Sequence, residues 1–233
     1  MSYLTLAESD GITIVSIDRP PANAMTVELL QELGAALEQL AAEPPRGIVL
    51  AGIEGFFSAG VDLKAVPGYG PAEQREMVDG INRMAIAAYG MPCPLVGAIT
   101  GHAIAGGLVL ALCCDVRIAS TAGRYGLTEV KVGVPYPQAA IGAVRAELAP
   151  HAARRLALGN ALIDAQECVS LGVFDEALAP ETVVPRAREA AGELGAMPGE
   201  VYTRTKRELR DEALSRMQAG AANDPLLQTW VSG

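Results

Sequence analysis

An α/β fold is predicted by three observations: strands that are apolar throughout, amphipathic helical stretches between them, and the recurrence of that order along 233 residues. Residues 47–51 (Gly-Ile-Val-Leu-Ala) and 95–99 (Leu-Val-Gly-Ala-Ile) are short apolar runs bounded by turn residues, the pattern of buried strands. Helical spacing appears between such runs, most clearly at Val27, Leu30, Leu33, Leu37 and Leu40. No simple repeat is visible, but paired strands followed by a helix recur, which predicts a spiral of ββα turns.

In chain order, residues 3–8 and 12–17 read as a hairpin closed by Ser9-Asp10-Gly11. Thr26 is the expected N-cap of a helix that runs to residue 42 and ends before Pro44-Pro45. After the strand at 47–51, residues 52–64 read as a loop in which Gly60 lets neighbouring peptide groups face a ligand. Residues 71–89 place Met77, Ile81, Met84 and Ala88 on one helical side, and Pro92-Cys93-Pro94 breaks that helix before the strand at 95–99.

Residues 100–115 then read as strand, turn and buried helix, with Ala105-Gly106-Gly107 at the helix start. The first N–H groups of such a helix have no partner within it and suit an oxyanion or phosphate; the alternative is a Gly pair that permits close helix packing. A strand at 115–119 precedes a loop-rich passage, 124–135, that carries Glu129. Helices follow at 138–148 and 150–158, and Asp164-Ala165-Gln166-Glu167 resembles a capping box opening a helix that ends at Gly172. The expected division is a core over 1–180 and a C-terminal helical region over 181–233 that serves packing or oligomerisation.

The formal charge of −9, from 27 acidic against 18 basic residues, argues against a nucleic-acid groove or an anionic membrane surface. No run approaches the roughly 18 apolar residues of a membrane span, and no basic region precedes the N-terminal apolar residues, so a soluble cytoplasmic protein is expected. Cys93, Cys113, Cys114 and Cys168 form no CxxC pair, and His102 and His151 are the two histidines. Neither a disulfide framework nor a metal site is indicated, and catalysis is expected to rest on carboxylates and backbone groups.

Five segments, quoted in order, carry a resemblance: Pro20-Pro21-Ala22-Asn23-Ala24, Phe57-Ser58-Ala59-Gly60-Val61-Asp62-Leu63, Gly101-His102-Ala103-Ile104-Ala105-Gly106-Gly107, Cys114-Asp115, and Gly126-Leu127-Thr128-Glu129-Val130-Lys131-Val132-Gly133. Together they resemble the crotonase superfamily, the enoyl-CoA hydratase/isomerase family, over nearly the full length. The resemblance implies a crotonase-like spiral with a C-terminal helical region and an acyl-CoA thioester as substrate. No separate cofactor is implied, coenzyme A being part of that substrate. It also implies a homotrimer or a dimer of trimers, and an oxyanion hole whose N–H donors are expected at Ala59 and Gly106.

Hydratases of this family carry two glutamates, and here Val109 stands at the first position while Glu129 stands at the second. A single carboxylate suits the transfer of one proton from C2 to C4. The chain therefore looks closest to the single-glutamate Δ3,Δ2-enoyl-CoA isomerases, with Glu129 as base. A hydratase or another crotonase-type acyl-CoA enzyme is the first alternative, and a non-catalytic acyl-CoA-binding protein is the second. The resemblance places Ala22, Ala24, Asp62 and Leu63 at the coenzyme A moiety and Val109 and Tyr136 at the acyl pocket. Asp62 alternatively caps its own turn, and Tyr136 alternatively packs beneath the Pro135-Tyr136-Pro137 turn. Lys64, Lys206 and Arg207 are candidates for the coenzyme A phosphates, His102 is read as structural, and Asp115 as making local hydrogen bonds. Leu209, Ala213, Leu214 and Met217 form a candidate apolar helix face.

Overall fold

The computed structural model describes residues 2–229. The predicted hairpin is present as β1 (Leu4–Ser9) and β2 (Ile12–Ile17), which pair antiparallel, and α1 (Val27–Ala42) follows with the Thr26 side chain accepting from Leu29 N. Then come β3 (Gly47–Ala51), β4 (Gly55–Ser58), α2 (Pro71–Tyr89), β5 (Leu95–Ile99), β6 (Gly101–Ile104) and α3 (Gly106–Leu112). The order continues with β7 (Val116–Ser120), β8 (Tyr125–Gly126), α4 (Glu129–Val132), α5 (Gln138–Glu147) and α6 (Pro150–Ala153), which passes into a π-helical turn at Arg154–Leu158. α7 (Ala165–Ser170), β9 (Glu176–Leu178), α8 (Pro180–Gly195), α9 (Gly199–Ala222) and α10 (Leu226–Thr229) complete it.

From β3 onward, successive strands alternate between two sheets. One has the order β1-β2-β3-β5-β7-β9, parallel from β2 onward, and the other has the order β4-β6-β8 with all its pairs parallel. Each turn of the chain thus lays one strand in the large sheet, one in the small sheet, and usually a helix outside them. This is the expected ββα spiral. Among the described residues no helix is long and apolar enough to cross a membrane.

The uninterrupted apolar runs of β3 and β5 follow from burial on both faces of the large sheet. Side chains alternate along a strand, so Ile48 and Leu50 join Leu30, Leu33, Met77 and Met84 in the main core, while Val49 and Ala51 face the opposite way. There Val183, Ala187, Ala190 and Ala191 of α8 cover them, with Val96, Ala98 and Ile118 in the same layer. Each fully buried Leu or Ile contributes about 1.5–3 kcal/mol.

Four elements lie in stretches whose sequence carries little periodicity: β4, β8, α4 and β9. All are four residues or fewer, too short for an alternating or helical pattern to declare itself. Two expectations are corrected here. Asp115 bonds across the fold, accepting from Leu95 N at 2.8 Å and Tyr202 Oη at 3.1 Å and pairing with Lys206 at 2.7 Å and Arg210 at 3.1 Å. This buried cluster ties α9 to the core, so its residues are far apart in sequence. Leu209 is 81% exposed and leaves the apolar face formed by Ala213, Leu214 and Met217, because it projects from α9 away from the packed side.

Candidate active site

The donor side of the site is built where β4, β6 and α3 meet. Asn23, fully buried, donates through Nδ2 to Ile17 O at 2.9 Å and Phe57 O at 3.1 Å and accepts from Arg19 N at 2.8 Å. Ser58 Oγ donates to Asn23 O at 2.7 Å and accepts from Gly60 N at 3.1 Å. The loop leaving β4 is thereby fixed by two side chains. Gly60 takes φ 77°, and a Cβ there would lie 2.9 Å from Gly106 N and 2.8 Å from the Ala105 Cβ. A Cβ on Gly107 would lie 2.2 Å from Ser58 O, so only glycine lets α3 start against this loop.

The expected donor at Ala59 is corrected: its N–H already donates to Ala22 O at 3.0 Å. Two residues on, Met25 N donates to Gly60 O at 2.7 Å and Asp62 N to Met25 O at 2.9 Å, which leaves the Val61 N–H between them without a partner among the described residues. Gly106 N, at the first position of α3, likewise has none within the helix. Ala105 before it sits at φ 53°, where an L residue is strained, with its own N–H held by Gly126 O at 2.9 Å. Val61 and Gly106 both line a cavity, open to solvent, that also includes Ala59, Leu63, Ile81 and Val109.

The opposite wall of that cavity carries Glu129, the first residue of α4 and 7% exposed. The chain reverses at Gly133, at φ 72°, and brings Tyr136 back so that its hydroxyl donates to Glu129 Oε2 at 2.7 Å. Burial raises the Glu129 pKa above the usual carboxylate range, against the Tyr136 hydrogen bond and backbone N–H groups that lower it. Burial and the neighbouring carboxylate push the Tyr136 phenol upward, so the phenol stays a donor. Val134, Pro135, Pro137 and Ala140 make the rest of this wall aliphatic.

The expected residues divide between the cavity and its surroundings. Glu129, Gly106, Val109, Tyr136 and half-exposed Leu63 are brought together around the cavity. Asp62 lies outside its lining, with Oδ1 accepting from Lys64 N at 3.0 Å and Ala65 N at 3.3 Å and Oδ2 3.0 Å from Arg19. It caps its turn, the alternative role. Ala22 and Ala24 also stand outside the lining, their carbonyls accepting from Ala59 N and from Arg19 Nη1 at 3.0 Å. Lys64 and Arg207 are exposed, whereas Lys206 is corrected as a phosphate candidate, since its buried ammonium is tied to Asp115 and to Cys93 O at 3.0 Å. His102 accepts from Arg124 N at 3.0 Å and packs on Phe56, the structural role expected of it.

Three features of the cavity escaped the sequence: the unpartnered Val61 N–H, the Asn23–Ser58 brace and the Tyr136–Glu129 hydrogen bond. Asn23 and Ser58 stand inside quoted motifs, so their signal was present without its geometry. The Tyr136 contact depends on a turn, Gly133-Val134-Pro135, that only the folded chain places.

Residues 7–229 match the family model described as enoyl-CoA hydratase/isomerase. The chain is 30% identical over 238 residues to human mitochondrial enoyl-CoA delta isomerase 1, an alignment covering 99% of this chain and 78% of the relative. It is also 30% identical over 183 residues to the probable enoyl-CoA hydratase EchA17 of Mycobacterium tuberculosis, covering 78% of this chain and 70% of the relative. Among solved structures, human mitochondrial delta3-delta2-enoyl-CoA isomerase superposes with a TM-score of 0.90 at 28% identity, covering 99% of this chain and 91% of that one.

Proposed function

Because the chain belongs to the enoyl-CoA hydratase/isomerase family, we propose that it shifts the double bond of a 3-enoyl-CoA to give the 2-trans-enoyl-CoA. The observation that carries this reading is the pairing of one carboxylate, Glu129, with an aliphatic Val109 in the same cavity. The thioester oxygen sits between the N–H groups of Val61 and Gly106. Glu129 removes a proton from C2, the electron pair delocalises onto the thioester oxygen as a dienolate, and the two donors stabilise that charge. The same carboxylic acid then returns the proton to C4, which moves the double bond from C3–C4 to C2–C3.

Two further features support the chemistry. A carboxyl whose pKa is raised by burial is a stronger base than an ordinary surface glutamate and lies closer in basicity to the proton it takes. Among the described residues no Lys or Arg lines the cavity, which suits an uncharged acyl chain. Hydration is the second reading, and the Tyr136 hydroxyl beside Glu129 is the observation in its favour, since it offers a second proton-bearing group. Supplying the purified protein with 3-trans-hexenoyl-CoA and, separately, crotonyl-CoA separates the two. Isomerisation gives a 2-enoyl product of unchanged mass from the first substrate. Water addition to crotonyl-CoA without isomerisation of the other would overturn the proposal in favour of a hydratase, and silence on both would favour a non-catalytic binder.

A further inference from the structure

Pro137 opens α5 without a side-chain cap, which leaves the first N–H groups of the helix in need of acceptors. They are supplied from far along the chain. Gln138 N donates to Asp224 Oδ2 at 2.7 Å, and Ala139 N donates to Asn82 Oδ1 at 2.9 Å. Asn82 Nδ2 in turn donates to Asp224 Oδ2 at 2.9 Å, and Leu226 N donates to Asp224 Oδ1 at 3.0 Å. Both side chains are buried, Asp224 at 2% exposure and Asn82 at 3%. Asp224 makes no ion pair among the described residues, so its burial is offset by neutral N–H donors, and the network is costly to open.

The residues that this network holds are neighbours of the cavity wall. Ile81 precedes Asn82 on α2, and Pro137 and Ala140 flank the two capped N–H groups; all three line the cavity. Tyr136, which bonds Glu129, lies one residue before Pro137. We propose that Asp224 and Asn82 are positioning residues that fix the start of α5 against α2, and so set the depth of the apolar end and the acyl-chain length the site accepts. The segment after α9 thereby acts as a specificity element. This rests on the reading of the cavity as an acyl-CoA site.

The test is kcat and KM of the full chain and its variants on 3-enoyl-CoA thioesters of six, eight, ten and twelve carbons. In Asp224→Ala the KM for the substrate that the parent prefers rises about tenfold while kcat stays within about threefold, and the preference between short and long chains shifts about tenfold. Gln138→Pro deletes the N–H that meets Asp224 and exchanges a side chain that packs against Gly220 of α9. It does so at the first helical position, where proline is tolerated, after a residue at ψ 151° that suits a following proline. It shifts the preference in the same direction by a smaller factor and decides the matter if the alanine variant does not fold. An unshifted chain-length preference in the folded variants, or a loss equal at every length, overturns the proposal alone. A parent protein silent on the whole series overturns the reading beneath it and the proposal with it.

Discussion

On one side of the cavity, Val61 and Gly106 present backbone N–H groups held by a buried Asn23–Ser58 brace and by glycines that leave no room for a Cβ. On the other, the proposed base Glu129 is one side chain on a single helical turn, and its neighbours Val130, Lys131 and Val132 are exposed. The donor side depends on what the backbone is permitted to do. The base side depends on the identity of one residue and on the hydroxyl that holds it. Substitution should therefore fail at different kinds of position on the two sides.

Glu129→Gln tests the base side most severely. Turnover of 3-hexenoyl-CoA should fall about 10²–10⁴-fold while acyl-CoA binding is retained, since the amide keeps the shape and loses the basicity. On the donor side, Gly60→Ala forces a side chain onto φ 77° and toward Gly106 N. Loss of one aligned donor predicts a fall of about 10²–10³ in kcat, with the acid limb of the pH–rate profile left where it was. A shifted acid limb in Gly60→Ala would mean that the two sides are not independent.

Tyr136→Phe should act in the opposite manner, with a modest fall in kcat and a displaced pH profile. The Tyr136 hydrogen bond lowers the Glu129 pKa, so its removal raises it. The base works ionised, and the acid limb should move to higher pH. Ser58→Ala removes a buried donor to Asn23 O and an acceptor for Gly60 N; thermal or urea denaturation should register a loss of about 1–3 kcal/mol. Val130→Lys, on the exposed side of the Glu129 turn, should change stability by no more than about 0.5 kcal/mol and leave turnover as it was.

The same contrast explains what the sequence disclosed. The large sheet was legible because β3 and β5 are buried on both faces and read as apolar runs, and α1 and α2 were legible from helical spacing. Glu129, Gly106 and Val109, which line one cavity, were legible as candidates because a motif carries them as residue types. The second donor was misplaced at Ala59, since an N–H is common to nearly every residue and only the hydrogen bond from Ala59 N to Ala22 O shows which one is already held. Lys206 looked like an exposed cation because its partner, Asp115, lies 91 residues away. Backbone donors and long-range ion pairs have no local pattern, and they are what the folded structure adds.

The most direct test of the single-carboxylate account follows a label. 3-Hexenoyl-CoA deuterated at C2 is converted in ordinary water, and the deuterium content at C4 of the 2-enoyl product is read by mass spectrometry and proton NMR. Deuterium is expected at C4, because one buried carboxyl takes the deuteron and returns it before full exchange with solvent. Product with no deuterium at C4 above the background of a solvent control would contradict it, and so would a product heavier by one water.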